Sequence, residues 1–354
     1  MNLNYSSPCN PLGYGVAGLN ILRELDAAGC SVAYFPIGEI SASQDDAEMI
    51  QRCVNNQSQY DHLAPSVRLW HQHDLAQHVG SGLRAGFPVF ELDTFTQREI
   101  HHLGSMDRVL VCSNWAKDIV EKNVNELDVR VVPLGVDRSV FYDSPPQYND
   151  TTVFLNIGKW EIRKGHDILV KAFNKAFEKT DDVELWMMNH NPFISEKQDQ
   201  EWKRMYASSN MGEKVKFLDR VDDHKEVAAV MRASDCGVFP SRAEGWNLEA
   251  LEMMSCGKQV ILTDYSAHTE FCTDDNSSLI PIESLEEAYD GIWFKGQGQW
   301  ASIGDREIEI LADYMRNVYT QKSDGRDIIN KGGIETSISL SWKNSAEQLI
   351  GAVN

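Results

Sequence analysis

The chain has 354 residues, enough for two domains at roughly 100–200 residues each. At 42% hydrophobic and 24% charged it is too apolar overall for a disordered chain. With 33 Lys and Arg against 53 Asp and Glu, its formal charge is −20. That field disfavours a broad nucleic-acid or membrane-surface footprint, while a small phosphorylated ligand needs only a local cluster of donors.

The first half alternates short β-branched runs with helical-period segments, the pattern of parallel sheets covered on both faces. Strand Asn2–Ser7 leads to a helix near Val16–Ala28, and strands follow at Ser31–Pro36, Val67–Trp70 and Pro88–Leu92. Helix Thr96–Leu103 precedes strand Arg108–Cys112, and helix Asn114–Lys122 precedes strand Val129–Pro133. Asp143–Asp150, rich in turn formers, is the expected linker.

Beyond it the alternation restarts. Strands are expected at Thr152–Ile157, Glu184–Asn189, Lys214–Phe217, Cys236–Phe239 and Gln259–Thr263. Helices are expected at His166–Phe177, Glu196–Ser208, Lys225–Ala233, Asn247–Ser255, Asp305–Tyr319 and from about Trp342. Two α/β halves of similar size imply a cleft between them, a common place for a ligand. Seven dispersed cysteines without a C-x-x-C pair read as free thiols in a reducing compartment. With no secretory signal pattern and no apolar run near the ~20 residues of a membrane span, a cytoplasmic protein is expected.

Three stretches carry candidate chemistry. Gly13-Tyr-Gly15-Val-Ala-Gly18 has the spacing of a dinucleotide-binding turn. The second strand, however, lacks the acidic residue such a site needs, and a turn that merely packs a helix on a strand explains the glycines equally well. Asn156–Gly165 places Lys159, Arg163 and Lys164 at a strand's carboxyl end, where α/β sheets bind ligands. A solvated basic turn is the plain alternative. Phe239–Gly257 runs from a strand through a loop into a helix, with Glu244 in the loop and Glu252 on the helix, seven residues between them. The free N–H groups of Asn247 and Leu248 at that helix start suit an anion, and Glu249 reads as a first-turn acid complementing the helix dipole.

Glu244-Gly-Trp-Asn-Leu-Glu-Ala-Leu-Glu252 resembles the E-x7-E signature of retaining glycosyltransferases of family 4. Gly158–Gly165, Val109–Trp115, Val131–Asp137 and Ser341-Trp342 are similar to other landmarks of that family in the same order. The resemblance implies the GT-B fold, an α/β arrangement of two Rossmann-like doubly wound domains. It places residues 1–145 on the acceptor side, with the helix at about 340–354 packing back on them, and residues 146–339 on the nucleotide-sugar side.

The resemblance also assigns roles. Lys159 and Lys164 would hold the donor diphosphate, with Lys159 where the family more often has arginine, a point charge instead of a bidentate fork. Glu252 would accept from the ribose, Glu244 would contact the transferred sugar, backbone around Val221 would meet the base, and Gly15 would let a loop close over the phosphates. No metal or other cofactor is expected, because lysines and helix amides can offset the leaving diphosphate's charge. Where the family often has a histidine facing the sugar, this chain ends a strand with Glu91 and Asp93, while His71 and His73 lie one strand earlier. Glu91 or Asp93 is expected to orient the acceptor in preference to His71, and a soluble acceptor is expected because no basic amphipathic helix stands out. The alternatives are a dinucleotide-dependent oxidoreductase using Gly13, Gly15 and Gly18, and a non-catalytic binding subunit of the same fold.

Overall fold

A computed structural model describes residues 1–144 and 151–354; residues 145–150 of the expected linker lie outside the described residues. The chain divides into two units, Met1–Gly135 with Leu340–Asn354, and Val136–Ser339. Val136–Ser144, expected with the first domain, pack with the second. Arg138 Nη1 donates to Ser337 Oγ at 2.6 Å, and Ser255 Oγ donates to the carbonyl of Phe141.

Unit 1 runs β1 (Asn2–Cys9), α1 (Gly13–Ala27), β2 (Ser31–Ile40), α2 (Ala47–Asn55), β3 (Ser66–Arg68), β4 (Arg84–Gly86), α3 (Gln97–Gly104), β5 (Arg108–Val111), α4 (Asn114–Asn123) and β6 (Val129–Val131). The strands form a six-stranded parallel sheet in the order β2-β1-β3-β4-β5-β6. The fourth strand is Arg84–Gly86, not Pro88–Leu92. Phe87 still donates to Arg68 O at 2.8 Å, but Pro88 has no N–H to continue the ladder, so residues 88–93 leave the sheet as a loop.

Unit 2 continues with β7 (Thr152–Gly158), α5 (His166–Ala176), β8 (Val183–Asn189), α6 (Glu196–Ala207), β9 (Val215–Phe217), α7 (His224–Ala233), β10 (Cys236–Phe239), α8 (Leu248–Ser255), β11 (Gln259–Asp264) and β12 (Ser278–Pro281). Next come the hairpin β13 (Leu285–Tyr289) and β14 (Lys295–Ala301), then α9 (Asp305–Ser323) and α10 (Lys331–Ser339). Its second parallel sheet has the order β12-β11-β10-β7-β8-β9, so β7 and β10 are central neighbours. Phe154, Leu185, Val238 and Ile261 are wholly buried in its core, as near-continuous apolar runs require when helices cover both faces. The loops at the carboxyl ends of β7 and β10 therefore lie side by side.

The last helix, α11 (Trp342–Val353), packs on α1 in unit 1. Ser341 caps it by accepting from Asn344 N, and Ser345 Oγ donates to Pro133 O at 2.7 Å. Among the described residues no cysteine forms a disulfide, and all but Cys30 are buried. Among the described residues no helix is long and apolar enough to cross a membrane.

Gly135 is where α11 meets β6: a Cβ there would lie 2.2 Å from both Ser341 C and Trp342 N. Gly135→Ala should therefore push the start of α11 off its seat and lower stability by about 1–3 kcal/mol, the usual penalty for overpacking. A urea titration followed by circular dichroism measures it, and an unchanged midpoint would disprove the contact.

Candidate functional site

In unit 2 the turn after β7 and the loop after β10 lock together. Gly165 has a left-handed φ of 72°, and a Cβ on it would sit 2.0 Å from Pro240 O, so only glycine lets the turn touch the loop. Arg242 N donates to Arg163 O at 2.7 Å, and the Arg242 guanidinium reaches Ile162 O and pairs bidentately with Asp167. On its other side the loop is held by the turn after β11. Glu244 N donates to Ser266 Oγ at 2.8 Å, and Thr263 Oγ1 donates to Ser241 O at 2.6 Å.

Between these clamps sits a buried ion-pair knot. Glu244 Oε1 accepts from Lys164 Nζ at 2.9 Å and from Ser241 Oγ at 2.7 Å, while Oε2 accepts from Arg163 Nη1 at 2.8 Å. Arg163 also pairs with Glu161 at 2.9 Å. Burial opposes ionisation of Glu244, but Lys164 and Arg163 outweigh it and hold the carboxyl well below the usual range. Burial likewise opposes the charge on Lys164, and Glu244 and Glu249 together raise its pKa, so the ammonium stays charged.

Gly158, with φ 144°, lets Lys164 lie against the end of β7: a Cβ on Gly158 would be 3.7 Å from Lys164 Nζ and 3.8 Å from Glu249 Oε1. Lys159 is half-buried with its ammonium 5.1 Å from the Phe193 ring centre. Its carbonyl accepts from buried His166 Nε2 at 2.7 Å. Burial pushes His166 down to about 4, so at neutral pH the ring is neutral and carries its proton on Nε2.

Asn247 caps α8 from a left-handed conformation, φ 83°, accepting from Ala250 N at 3.2 Å and donating to His268 Nε2 at 2.8 Å. His268 Nδ1 donates to Thr263 O at 2.9 Å, and burial lowers its pKa, leaving it neutral. The N–H groups of Leu248 and Glu249 have no partner within the helix, as at any helix start, and the positive end of α8 opens there.

One turn on, Glu252 is 8% exposed, and no donor reaches its carboxylate among the described residues. Burial, then the charge of Glu249, raises its pKa well above the ordinary value. Lys159, Lys164, Asn247, Leu248 and Glu252 therefore belong to adjoining loop ends of one unit. Glu249 joins them beside Lys164, and Arg163 and His268 support them. The first-turn position of Glu249 suits the helix dipole alone; its approach to Lys164 depends on β7 and β10 being neighbours. Val221 is half-buried in the loop between β9 and α7.

Unit 1 gathers a second set. Gly13, Gly15 and Gly18 stand inside the first turns of α1, not in a loop before it. A Cβ on Gly15 would lie 2.2 Å from Asn10 O, and one on Gly18 2.4 Å from Pro8 O, so close packing on the chain's own backbone accounts for both. The hydroxyl of Tyr14, between them, donates to Val89 O and accepts from Val89 N, both at 2.8 Å, pinning the loop that bears Glu91 and Asp93. Its ring also meets His71 at 4.7 Å, and His71 stacks on His73 at 5.3 Å. Nothing in the glycine spacing marked Tyr14 as the link. Among the described residues no three His, Cys, Asp or Glu are placed to hold a metal ion.

Residues 151–293, which span the whole ion-pair knot and α8, match the protein-family profile Glycosyl transferases group 1. That stretch is similar to the group 1 glycosyltransferases. The chain is 29% identical over 167 residues to the phosphatidyl-myo-inositol mannosyltransferase of Mycolicibacterium smegmatis, covering 45% of this chain and 40% of that protein. It is 24% identical over 198 residues to the mannosylfructose-phosphate synthase of Agrobacterium fabrum, covering 49% and 42%. The matches thus span half or less of these curated relatives.

Solved structures extend the fold to nearly the full chain. Sucrose-phosphate synthase from Thermosynechococcus elongatus superposes with a TM-score of 0.73 at 17% identity, covering 99% of this chain and 98% of that one. Anabaena HepE, crystallised with UDP-glucose, gives 0.68 at 16% identity, covering 99% and 98%. Both parallel-sheet units therefore follow the GT-B fold of these structures.

Glu252 has a direct consequence for stability. Its native pKa lies above the unfolded value of about 4.5, so the native state binds more protons and loses stability as pH rises from there. Glu252→Gln removes that titration. The variant should match the parent in acid and become progressively more stable than it toward neutral pH, seen as a widening gap between their thermal midpoints. A gap that stays constant with pH would disprove the burial of an unpaired acid.

Proposed function

We propose that the protein is a retaining glycosyltransferase that moves a sugar from a nucleoside diphosphate to an acceptor hydroxyl without a metal ion, by the chemistry of family 4. The single observation that carries this reading is that adjoining loop ends of one unit hold a buried Lys164, kept charged by Glu244, and a buried acid, Glu252, that no donor reaches among the described residues. The lysine and the helix amides suit the two phosphates, and the acid suits the two ribose hydroxyls, each of which brings a proton to donate. HepE with UDP-glucose supports a nucleotide-sugar donor, and uridine is the first base to test.

In the reaction the bond from the sugar's anomeric carbon to the diphosphate oxygen breaks, and the diphosphate leaves with the electron pair. The acceptor oxygen bonds the same face of that carbon, and its proton passes to the departing diphosphate oxygen. Lys164 donates to the departing oxygen, where negative charge grows, and Lys159 and the α8 amides share the remainder; fixed donors of this kind need no rearrangement at the moment of reaction. Glu244, with both oxygens already in bonds, keeps Lys164 charged and aimed and contacts the sugar only at its edge. Backbone near Val221 would take the base. In unit 1, Glu91 or Asp93 would orient the acceptor, with Tyr14 fixing their loop and His71 beside it. The acceptor is proposed to be soluble and the protein cytoplasmic, in keeping with a charge of −20.

A thermal-shift screen of UDP, GDP, ADP and their sugars against NADH decides between readings, since a ligand of the native state raises the melting temperature. One nucleoside diphosphate should stabilise the protein and NADH should not; the reverse would favour an oxidoreductase. Lys164→Ala should lower kcat/KM by one to two orders of magnitude, on the order of 1.4–2.8 kcal/mol of transition-state stabilisation. Binding without any transfer in the parent, across a broad acceptor panel, would make the chain a binding subunit instead.

A further inference from the structure

Unit 2 holds a second cavity, of about 250 Å³, that none of Lys159, Lys164, Glu244, Glu252 or Val221 lines. It opens between the start of α6 and the tip of the β13–β14 hairpin, an insertion no sequence signal marked. This volume is just below the roughly 300 Å³ at which small-molecule sites begin, room for one ring and too little for a nucleotide.

Its walls are aromatic. Trp160 and Trp202 stack with ring centres 5.8 Å apart and planes 7° from parallel. Opposite them Trp293 stands at the hairpin tip, 45% exposed, braced edge-on by Phe193 at 6.1 Å. The tip is rigid: Asp290 Oδ1 accepts from the N–H groups of Ile292, Trp293 and Phe294 at 2.8–2.9 Å. Trp293 is therefore held out before any ligand arrives, so little ordering cost falls on binding.

The polar groups decide the ligand. Trp160 is 1% exposed, yet its indole N–H is buried without a partner, an unusual deficit for a native interior. Gln198 Oε1 is taken by Ser195 N and Oγ, which turns its amide N–H groups into the side chain's remaining function. Glu201 and the second oxygen of Asp290 are acceptors. A phosphate or carboxylate would meet those two acids at close range, in a chain of charge −20. A simple cation would leave the amide donors of Gln198 unanswered. A neutral pyranose matches both kinds of group, since each hydroxyl donates and accepts while the ring's C–H faces lie on indole.

We infer that this cavity is a binding site for one neutral hexopyranose ring, separate from the donor pocket and independent of the donor assignment. Two ion pairs link it to that pocket, because Glu161 on its wall bonds Arg163, which bonds Glu244. A sugar seated there would be the outer residue of a glycan.

Saturation-transfer NMR on the full chain, with methyl α-glucopyranoside and methyl α-mannopyranoside as probes and glucose 6-phosphate as the anionic control, tests this. A neutral glycoside should give saturable transfer in the parent and in Lys164→Ala, and at least about tenfold weaker binding in Trp293→Ala, while the phosphorylated sugar gives less than its neutral counterpart. Trp293 is a surface residue, so its variant should keep the parent's melting temperature and its shift with nucleoside diphosphate. No transfer in the parent, transfer that survives Trp293→Ala, or transfer abolished by Lys164→Ala would each overturn the assignment.

Discussion

Burying a lysine, an arginine and a glutamate together is unfavourable unless every charge meets its opposite, and the site in unit 2 depends on that condition being met. Glu244 satisfies Lys164 and Arg163 at once, and Arg163 also satisfies Glu161. The participants come from two loops separated by roughly eighty residues in sequence and brought together by the pairing of β7 with β10. Removing one member leaves a buried charge uncompensated, so the knot fixes the turn and the loop as a single body. Gly165 and Arg242 do the same through backbone contact. The result is an ammonium group whose position is set by protein, not by the ligand it meets.

Glu252 represents the opposite arrangement within the same helix. Among the described residues no donor reaches its carboxylate, and burial, then the charge of Glu249, disfavours its ionised form. Such a residue weakens the fold at neutral pH. An acid retained under those conditions fits a group whose partner arrives from outside, and the contrast with Glu244, one helix turn and a loop away, separates a residue that builds the site from one that waits for a ligand.

Much of this was legible in the sequence, and the exceptions have physical causes. Strands such as Thr152–Ile157 and Cys236–Phe239 are short apolar runs that only a buried parallel sheet accommodates, and they appear within a residue or two of expectation. The strand expected at Pro88–Leu92 was misplaced because apolar character outweighed the missing N–H of Pro88. Helix α2 was unread because it is only nine residues long, and the β13–β14 hairpin because Glu and Gly interrupt its apolar alternation. In the site, the spacing of Glu244 and Glu252 pointed to paired acids but not to their unequal electrostatics. Those depend on which cations lie across the β7–β10 junction, a tertiary fact. The glycine run was the reverse case: a formal motif whose spacing is accounted for by Asn10 and Pro8 pressing on α1.

A chain of charge −20 can still hold an anion, because the field that matters is local and the acids are already committed. Near Lys164, Glu244 is neutralised by two cations and burial disfavours the charge of Glu252, which leaves Glu249 to oppose a phosphate. Against it stand Lys159, Lys164 and the opening of α8. The dispersed surface acids act at distances where physiological salt screens them, beyond a Debye length of roughly 8 Å. Overall charge therefore governs what approaches the molecule, and the local pairing of buried charges governs what the pocket accepts.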